Sequence, residues 1–301
     1  MSRLARRSVT VLGAAGLVLG LVAAVPATAA EASSPSNVCA GTPNAPGVLQ
    51  GVHWGTVWVK GACAVNGGAA VVHGNLVVTP GSALVAAFAN NDVSGHGSSS
   101  LRVTGTVFVD RRAAAILGCF ATSFPCIDDP NQAHPTLNSH DAVGGSIIGS
   151  SALGIIAHDT TVRGNVVQSG GGGGFNCTPQ GIFTKFQSPV YTTYEDSVVW
   201  GNLVITGVRS CWLGTARVHV HRNAVYVGNQ LADPDAIEIV SNHVDGALAC
   251  FRNSRTWDSG DLSNKLFPRA PQPNTVLGGR SGQCVLNSPT SPTDKPGPGL
   301  F

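Results

Sequence analysis

One short pattern recurs along this chain and restricts its fold more than any other feature. "VVHGNLVVTPG" around Asn75, "TVRGNVVQSG" around Asn165, "VVWGNLVITG" around Asn202 and "HVHRNAVYVG" around Asn223 each run β-formers, a short residue (Arg222 in the last), Asn, more β-formers and then Gly or a turn. "EIVSNHVDG" around Asn242 is a weaker fifth unit. The last three Asn are 21 and 19 residues apart, the length of one turn of a β-solenoid. In physical terms a strand ends, Asn takes the left-handed conformation that bends the chain, and a second strand begins. Stacked coils let each Asn amide bond to the Asn above it and let columns of Val and Leu bury one another, which a single coil cannot do alone.

The rest of the chain agrees with this. Apolar residues come in short β-branched runs, and 38 Gly and 18 Pro interrupt them too often for long helices. The expected class is all-β, a right-handed parallel β-helix with projecting loops, stapled by disulfides. Residues 47–286 form that domain, roughly 240 residues in one elongated unit. Asn90–Ser100, Cys119–Asp141 and Gly170–Glu195 are too long for tight turns and are expected to project beside the stack, where binding residues often sit.

These units resemble the coils of right-handed parallel β-helix proteins, the architecture of pectate lyases, polygalacturonases, phage tailspikes and many bacterial surface proteins. The resemblance is specific over Asp196–Asn253, fair over Val71–Val109, and blurred between them by inserted loops. The end segment "NHVDGALACFRN…PNTVLGGRSGQC" (Asn242–Cys284) is similar to the closing part of a group of exported actinobacterial β-helix proteins, a likeness that implies no particular activity. Fold alone does not give function.

Targeting and charge narrow the partners. Arg3, Arg6 and Arg7 precede an apolar stretch, Val9–Val25, and Ala27-Thr28-Ala29 supplies the small-x-small cleavage pattern, so residues 1–29 read as a signal peptide. Residues 30–46 read as an extended lead-in and residues 287–301 as a Pro-rich, disordered tail. The apolar stretch is short for a membrane span and none follows, so a secreted, extracellular or cell-wall protein without a transmembrane anchor is expected. The flanks of Arg6-Arg7 suit ordinary secretion better than a twin-arginine route. Removing three of 18 basic residues leaves 15 against 16 acidic ones, near −1. That excludes the basic surplus a nucleic acid requires. With only 11% charged residues the surface is built from Ser, Thr, Asn, Gln and Gly, which suits contact with the neutral sugars of a polysaccharide or with a cell-wall glycan.

Eight cysteines, Cys39, Cys63, Cys119, Cys126, Cys177, Cys211, Cys250 and Cys284, fall in the exported part and read as disulfides. Cys39–Cys63 and Cys119–Cys126 are the most economical pairs. No CxxC or Cys–His pair at ligand spacing supports a cysteine zinc site.

In register, the residue two before each Asn points outward, giving a column of His73, Arg163, Trp200 and His221, with His219 and Glu238 in the neighbouring column. Arg163, Trp200, His219, His221 and Glu238 are the expected saccharide-binding stripe, Trp offering a flat face to a sugar ring and Arg and His donating to hydroxyls; the alternative is a solvated face carrying one Trp. Asp233, Asp235 and Glu238 bring hard oxygen ligands within six positions. No cofactor is expected, with Ca²⁺ at Asp233 and Asp235 the alternative and plain turn chemistry of "DPD" the competing explanation. Asp128 and Asp129 carry the same ambiguity.

Catalytic signatures are weak. Asp92, Gly95–Gly97 ("GHG"), Asp128 and Asp129 occur in the wrong order for a polygalacturonase. A pectate-lyase base has no recognisable motif around Lys60, Lys185, Lys265 or Lys295, although Arg163, Arg217 and Arg222 lie near the stripe. His140-Asp141 and His158-Asp159 are adjacent pairs that point opposite ways in a strand. No Gly-x-Ser-x-Gly elbow occurs, and "SGGGGG" lacks the Lys-Ser/Thr of a phosphate loop. The expectation is a non-catalytic exported β-helix that binds saccharide or sits in the envelope, with a polysaccharide lyase or glycosidase on the same scaffold as the alternative.

Overall fold

The chain winds through three parallel sheets in turn, coil after coil. The computed structural model describes residues 37–233, 237–254, 256–257 and 274–285. The signal peptide, the 287–301 tail and Asp235 lie outside the described residues. Sheet I holds nine strands, from Gly51–Trp54 to Thr275–Val276. Sheet II runs from Val38–Gly41 through Leu76–Val78 and Leu203–Thr206 to Arg280–Gly282. Sheet III runs from Gly47–Val48 through Ala83–Ala86 and Trp212–Ala216 to Thr256–Trp257. Val57–Ala64 bends through one corner and belongs to both II and III. Every pairing between named strands is parallel, and the chain forms a right-handed parallel β-helix.

The core is a set of apolar columns. On sheet II, Leu76, Val107, Ile147, Val166, Leu203, Ala224 and Leu248 lie directly over one another, all buried. Alternation turns Val77, Phe108, Ile148, Val167, Val204 and Val225 outward in an equally regular column, where β-branched and aromatic neighbours support each other across strands.

The corner between sheets I and II carries the repeated Asn. Asn165 Oδ1 accepts from the Asn202 backbone N–H (2.8 Å) and Nδ2 (3.1 Å), and Asn202 Oδ1 does the same for Asn223 (3.1 Å each). Hydroxyls continue the ladder: Asn75 Oδ1 accepts from Thr106 N, Thr106 Oγ1 from Ser146 N, and Ser146 Oγ from Asn165 N. The short residue before the corner is short because backbones meet there: a Cβ on Gly105 or Gly201 would sit 2.5 Å from the carbonyl oxygen of Gly74 or Gly164.

Two expectations fail at the corners. None of these Asn has a positive φ; left-handed residues include Gly55 at the I–II corner, Asp159, Asp196, Arg217 and Ser241 at the III–I corner, and Ser151, Gly207, Gly228 and Arg252 at the II–III corner. Asn242 is not a fifth copy of the unit. It follows Ser241 at the III–I corner, where its Oδ1 accepts from Val218 N (2.9 Å) and it bonds on to Asn274. A third ladder, Asn229–Asn253–Gln283, holds the II–III corner.

The lead-in and the long loops also differ from expectation. Val38–Gly41 is already a strand of sheet II, and Cys39–Cys63 ties it to the next coil. The other disulfides are Cys119–Cys126, Cys177–Cys211 and Cys250–Cys284. The loops after Cys119 and Gly170 carry Cys126, Ile182, Phe183 and Val190 onto the outer side of sheet III, where they pack against Ala114, Ile116 and Ile156 as a second core. Sheet III is therefore buried on both sides, whereas the outer residues of sheet I are exposed or half-buried. Asp128 and Asp129 serve these loops. Asp128 accepts from Ala89 N, and Asp129 accepts from the N–H groups of Asn131, Thr136 and Leu137.

Candidate functional site

Two outward columns run along sheet I. Strand register stacks Trp54 on His73, and then, past Thr104 and Gly144, Arg163 on Trp200, His221 and Asp245. The parallel column holds Arg102, Ala142, Thr161, Val198, His219 and His243. Four residues of the expected stripe, Arg163, Trp200, His219 and His221, share this face. Glu238 does not: it lies in sheet III opposite Gly214, buried beneath the cover of that sheet. Asp233 is also buried, at the end of the II–III corner, its N–H bonded to the Cys211 carbonyl. Asp233 and Glu238 thus contribute nothing to the sheet I surface.

The rings on this face are tightly ordered. His221 stacks on Trp200 at 4.1 Å with planes 17° apart, and Arg163 Cζ sits 5.0 Å from the centroid of the same Trp. Both faces of Trp200 are thereby in contact, which leaves a ligand its edge rather than the flat platform expected. Trp54 is the opposite case. It stacks on His73 at 4.2 Å, belongs to the end strand of the sheet, and is 71% exposed.

Between the two stacks the side chains become small. Thr104, Ala142 and Gly144 leave a trough of about 420 Å³ bordered by Arg102, His140, Thr161 and Arg163. His140 Nδ1 contacts Asp159 Oδ1 at 2.9 Å and its Nε2 meets Thr161 Oγ1 at 3.1 Å; the hydrogen bond to Asp159 holds the imidazole pKa above its ordinary value despite partial burial. Among the described residues, neither Arg102 nor Arg163 pairs with a carboxylate. A smaller hollow of about 230 Å³, lined by Arg111, Arg112 and Arg209, lies off this face at the Gly171–Gly174 loop.

Beyond Trp200 three imidazoles converge on one carboxylate. His219 Nε2 and His243 Nε2 lie 3.2 and 2.9 Å from Asp245 Oδ1, and His221 Nδ1 lies 2.9 Å from Oδ2. Desolvation alone would raise the Asp245 pKa, but hydrogen bonds and charge from His219 and His221 outweigh it and hold it below the usual range.

Neither a protein-family model, nor a curated protein, nor a solved structure matches the chain. Its site therefore has to be understood from its own geometry. Among the described residues no helix is long and apolar enough to cross a membrane.

Trp54, Arg102, His140, His243 and Asp245 are members of this face that the repeat alignment misses. Trp54 was legible in "VHWGTVWV", which matches "VVHGNLVV" with Thr in place of Asn. His243 and Asp245 were hidden by aligning on Asn242. Aligned instead as "HVHRN" over "HVDGA", they fall beside His219 and His221.

Proposed function

We propose that this chain is an exported, non-catalytic β-helix that binds an acidic saccharide of an extracellular or envelope polysaccharide along sheet I. The observation that carries this is the trough with Arg102 and Arg163, neither paired with a carboxylate among the described residues, in the middle of sheet I. Planar guanidinium matches a carboxylate with two parallel hydrogen bonds, and His140 and Thr161 supply partners for hydroxyls. The open face of Trp54 lies five strand spacings from Trp200, about 24 Å, which gives an extended chain of sugars room to lie across several coils. Export is supported by the Arg3–Ala29 segment and by the four disulfides. The likeness to exported actinobacterial β-helix proteins rests on Asn242–Cys284 alone.

A lyase or glycosidase on the same scaffold drew on Asp233, Asp235 and Glu238. With Asp233 and Glu238 buried away from sheet I, that alternative loses two of the three acidic residues it drew on.

The test is retention of the purified chain on polygalacturonate-type gels and on neutral glucans, with product analysis for unsaturated sugars. Retention on the uronate gel is expected to fall about a hundredfold in an Arg102→Ala, Arg163→Ala double variant, the loss of two charge-assisted contacts. Equal retention of wild type and double variant, or retention on neutral glucan alone, overturns the proposal.

A further inference from the structure

The strongest unassigned chemistry lies at the other end of sheet I. We infer that His219, His243 and Asp245, with His221 beside them, form a binding site for a first-row transition-metal dication, with Zn²⁺ as the natural probe. The ligand-capable atoms of His219, His243 and Asp245 all lie within 4.8 Å of one another. A tetrahedral zinc holds nitrogen and oxygen ligands at about 2.0–2.2 Å, so its ligands stand about 3.3–3.5 Å apart. The distances of 2.9 and 3.2 Å from Asp245 Oδ1 to the two Nε2 atoms are already close to that spacing.

The backbone explains why the cluster is preformed. His219 and His243 are direct partners in the parallel ladder, and the next outward step brings Asp245 opposite His221. Their rings meet edge to face at 4.7 Å. His219 and His243 thus stand on paired strands of adjacent coils, and Asp245 follows directly after the second, its N–H bonded to the Val220 carbonyl. All four side chains remain partly accessible, so an ion can enter directly from solvent.

The ligand chemistry selects the metal. Imidazole nitrogens suit Zn²⁺, Cu²⁺, Ni²⁺ and Co²⁺, whereas Ca²⁺ and Mg²⁺ take oxygen ligands. Binding requires each ligating imidazole to turn a lone pair to the ion, its proton moving to the other ring nitrogen, while Asp245 supplies the negative charge. The Arg163 guanidinium does not oppose the ion at close range, because Trp200 and His221 are stacked between them. A second group of possible ligands, His158, Glu195 and Asp196, lacks this property. There the Arg217 guanidinium bonds Glu195 and Asp196 at 2.9 and 2.6 Å and already occupies the cationic place.

The experiment is calorimetric titration of the chelator-treated full chain with Zn²⁺, followed by the visible spectrum of the Co²⁺ form. One saturable site per chain and an intense tetrahedral Co²⁺ spectrum are expected. His243→Ala and Asp245→Ala should each weaken binding by at least about tenfold, and His96→Ala, on a remote exposed loop, should leave it unchanged. Circular dichroism without metal checks the fold of each variant, and His243→Gln and Asp245→Asn replace any that fails. Unaltered Zn²⁺ titration in the folded His243 and Asp245 variants, or absence of saturable binding by wild type, overturns the inference. No glycan enters this experiment, so its outcome is independent of the saccharide proposal.

Discussion

The two tryptophans of sheet I should respond in opposite ways to the same substitution. Trp200 has a stacked His221 on one face and the Arg163 guanidinium on the other, and is 43% exposed. Roughly half of an indole's 150–250 Å² is then removed from water, which at about 25 cal/mol per Å² is about 2–3 kcal/mol, an upper figure that already includes the stacking. Trp54 loses only its contact with His73, about 1 kcal/mol. For a domain of this size each kcal/mol lowers Tm by about 2–4 °C, so Trp200→Ala should cost about 4–12 °C and Trp54→Ala about 2–4 °C.

Binding should follow the reverse order. Trp54 presents an open face to a sugar ring and Trp200 only an edge, so Trp54→Ala should weaken retention on acidic glycan more strongly than Trp200→Ala. Thermal melting with disulfides intact, run beside glycan retention on the same preparations, reads both effects. A larger Tm loss for Trp54→Ala than for Trp200→Ala refutes the sandwich assignment. Unchanged retention for Trp54→Ala removes it from the binding face.

Two further predictions concern stability. Asn242→Ala should cost about 2–4 kcal/mol, because it orphans the buried Val218 N–H and removes the side-chain donor to Thr215 O and Asn274 Oδ1, while Asn223→Ala, at an exposed corner, should cost about 1 kcal/mol; urea titration of both variants checks the difference. The pH dependence comes from Glu195 and Asp141, fully buried carboxyls whose pKa values burial raises to about 8 and about 7, against the opposing pull of Arg217 on Glu195 and of the Leu101 and Gly118 N–H groups on Asp141. The native state then holds protons that the unfolded chain releases near pH 4, so their contribution is complete below about pH 4 and is lost as pH rises through 7 and 8. His158, with its pKa lowered by burial, acts in the other direction but only below about pH 6.5. Tm should therefore fall between about pH 6.5 and 8.5, and Glu195→Gln should flatten that slope; a rising Tm, or a slope indifferent to Glu195→Gln, contradicts the assignment.

The parallel stack, the Asn ladder and the column His73, Arg163, Trp200, His221 were legible because a coil repeats its hydrogen-bonding needs at the same place in each turn. The same physics misled at Asn242. All three corners leave backbone N–H groups that an amide oxygen can accept, so Asn marks a corner without saying which. The Gly before the corner is the better index: Gly74, Gly105, Gly145, Gly164, Gly201 and Gly246 recur where one backbone rests on the next. Only register, not composition, could show that Trp200 has neighbours on both faces.

The long insertions explain why function is to be sought on sheet I at all. A three-sided coil has three outer walls to dispose of. Sheet II meets water with a column of Val, Phe and Ile beside a row of short hydroxyls, Ser150, Ser169 and Thr206. Sheet III is closed by loops that bring Phe183, Ile182 and Val190 to cover it, and it holds the buried Glu195 carboxyl in a hydrogen bond from Arg217. The loops were expected to project beside the stack; by covering sheet III they leave sheet I as the wall where Arg, His and Trp stand in line on and beside paired strands. If those side chains served only solubility, nothing would require Arg102 and Arg163 to flank a gap without acidic partners, or His219, His221 and His243 to turn toward the same carboxylate.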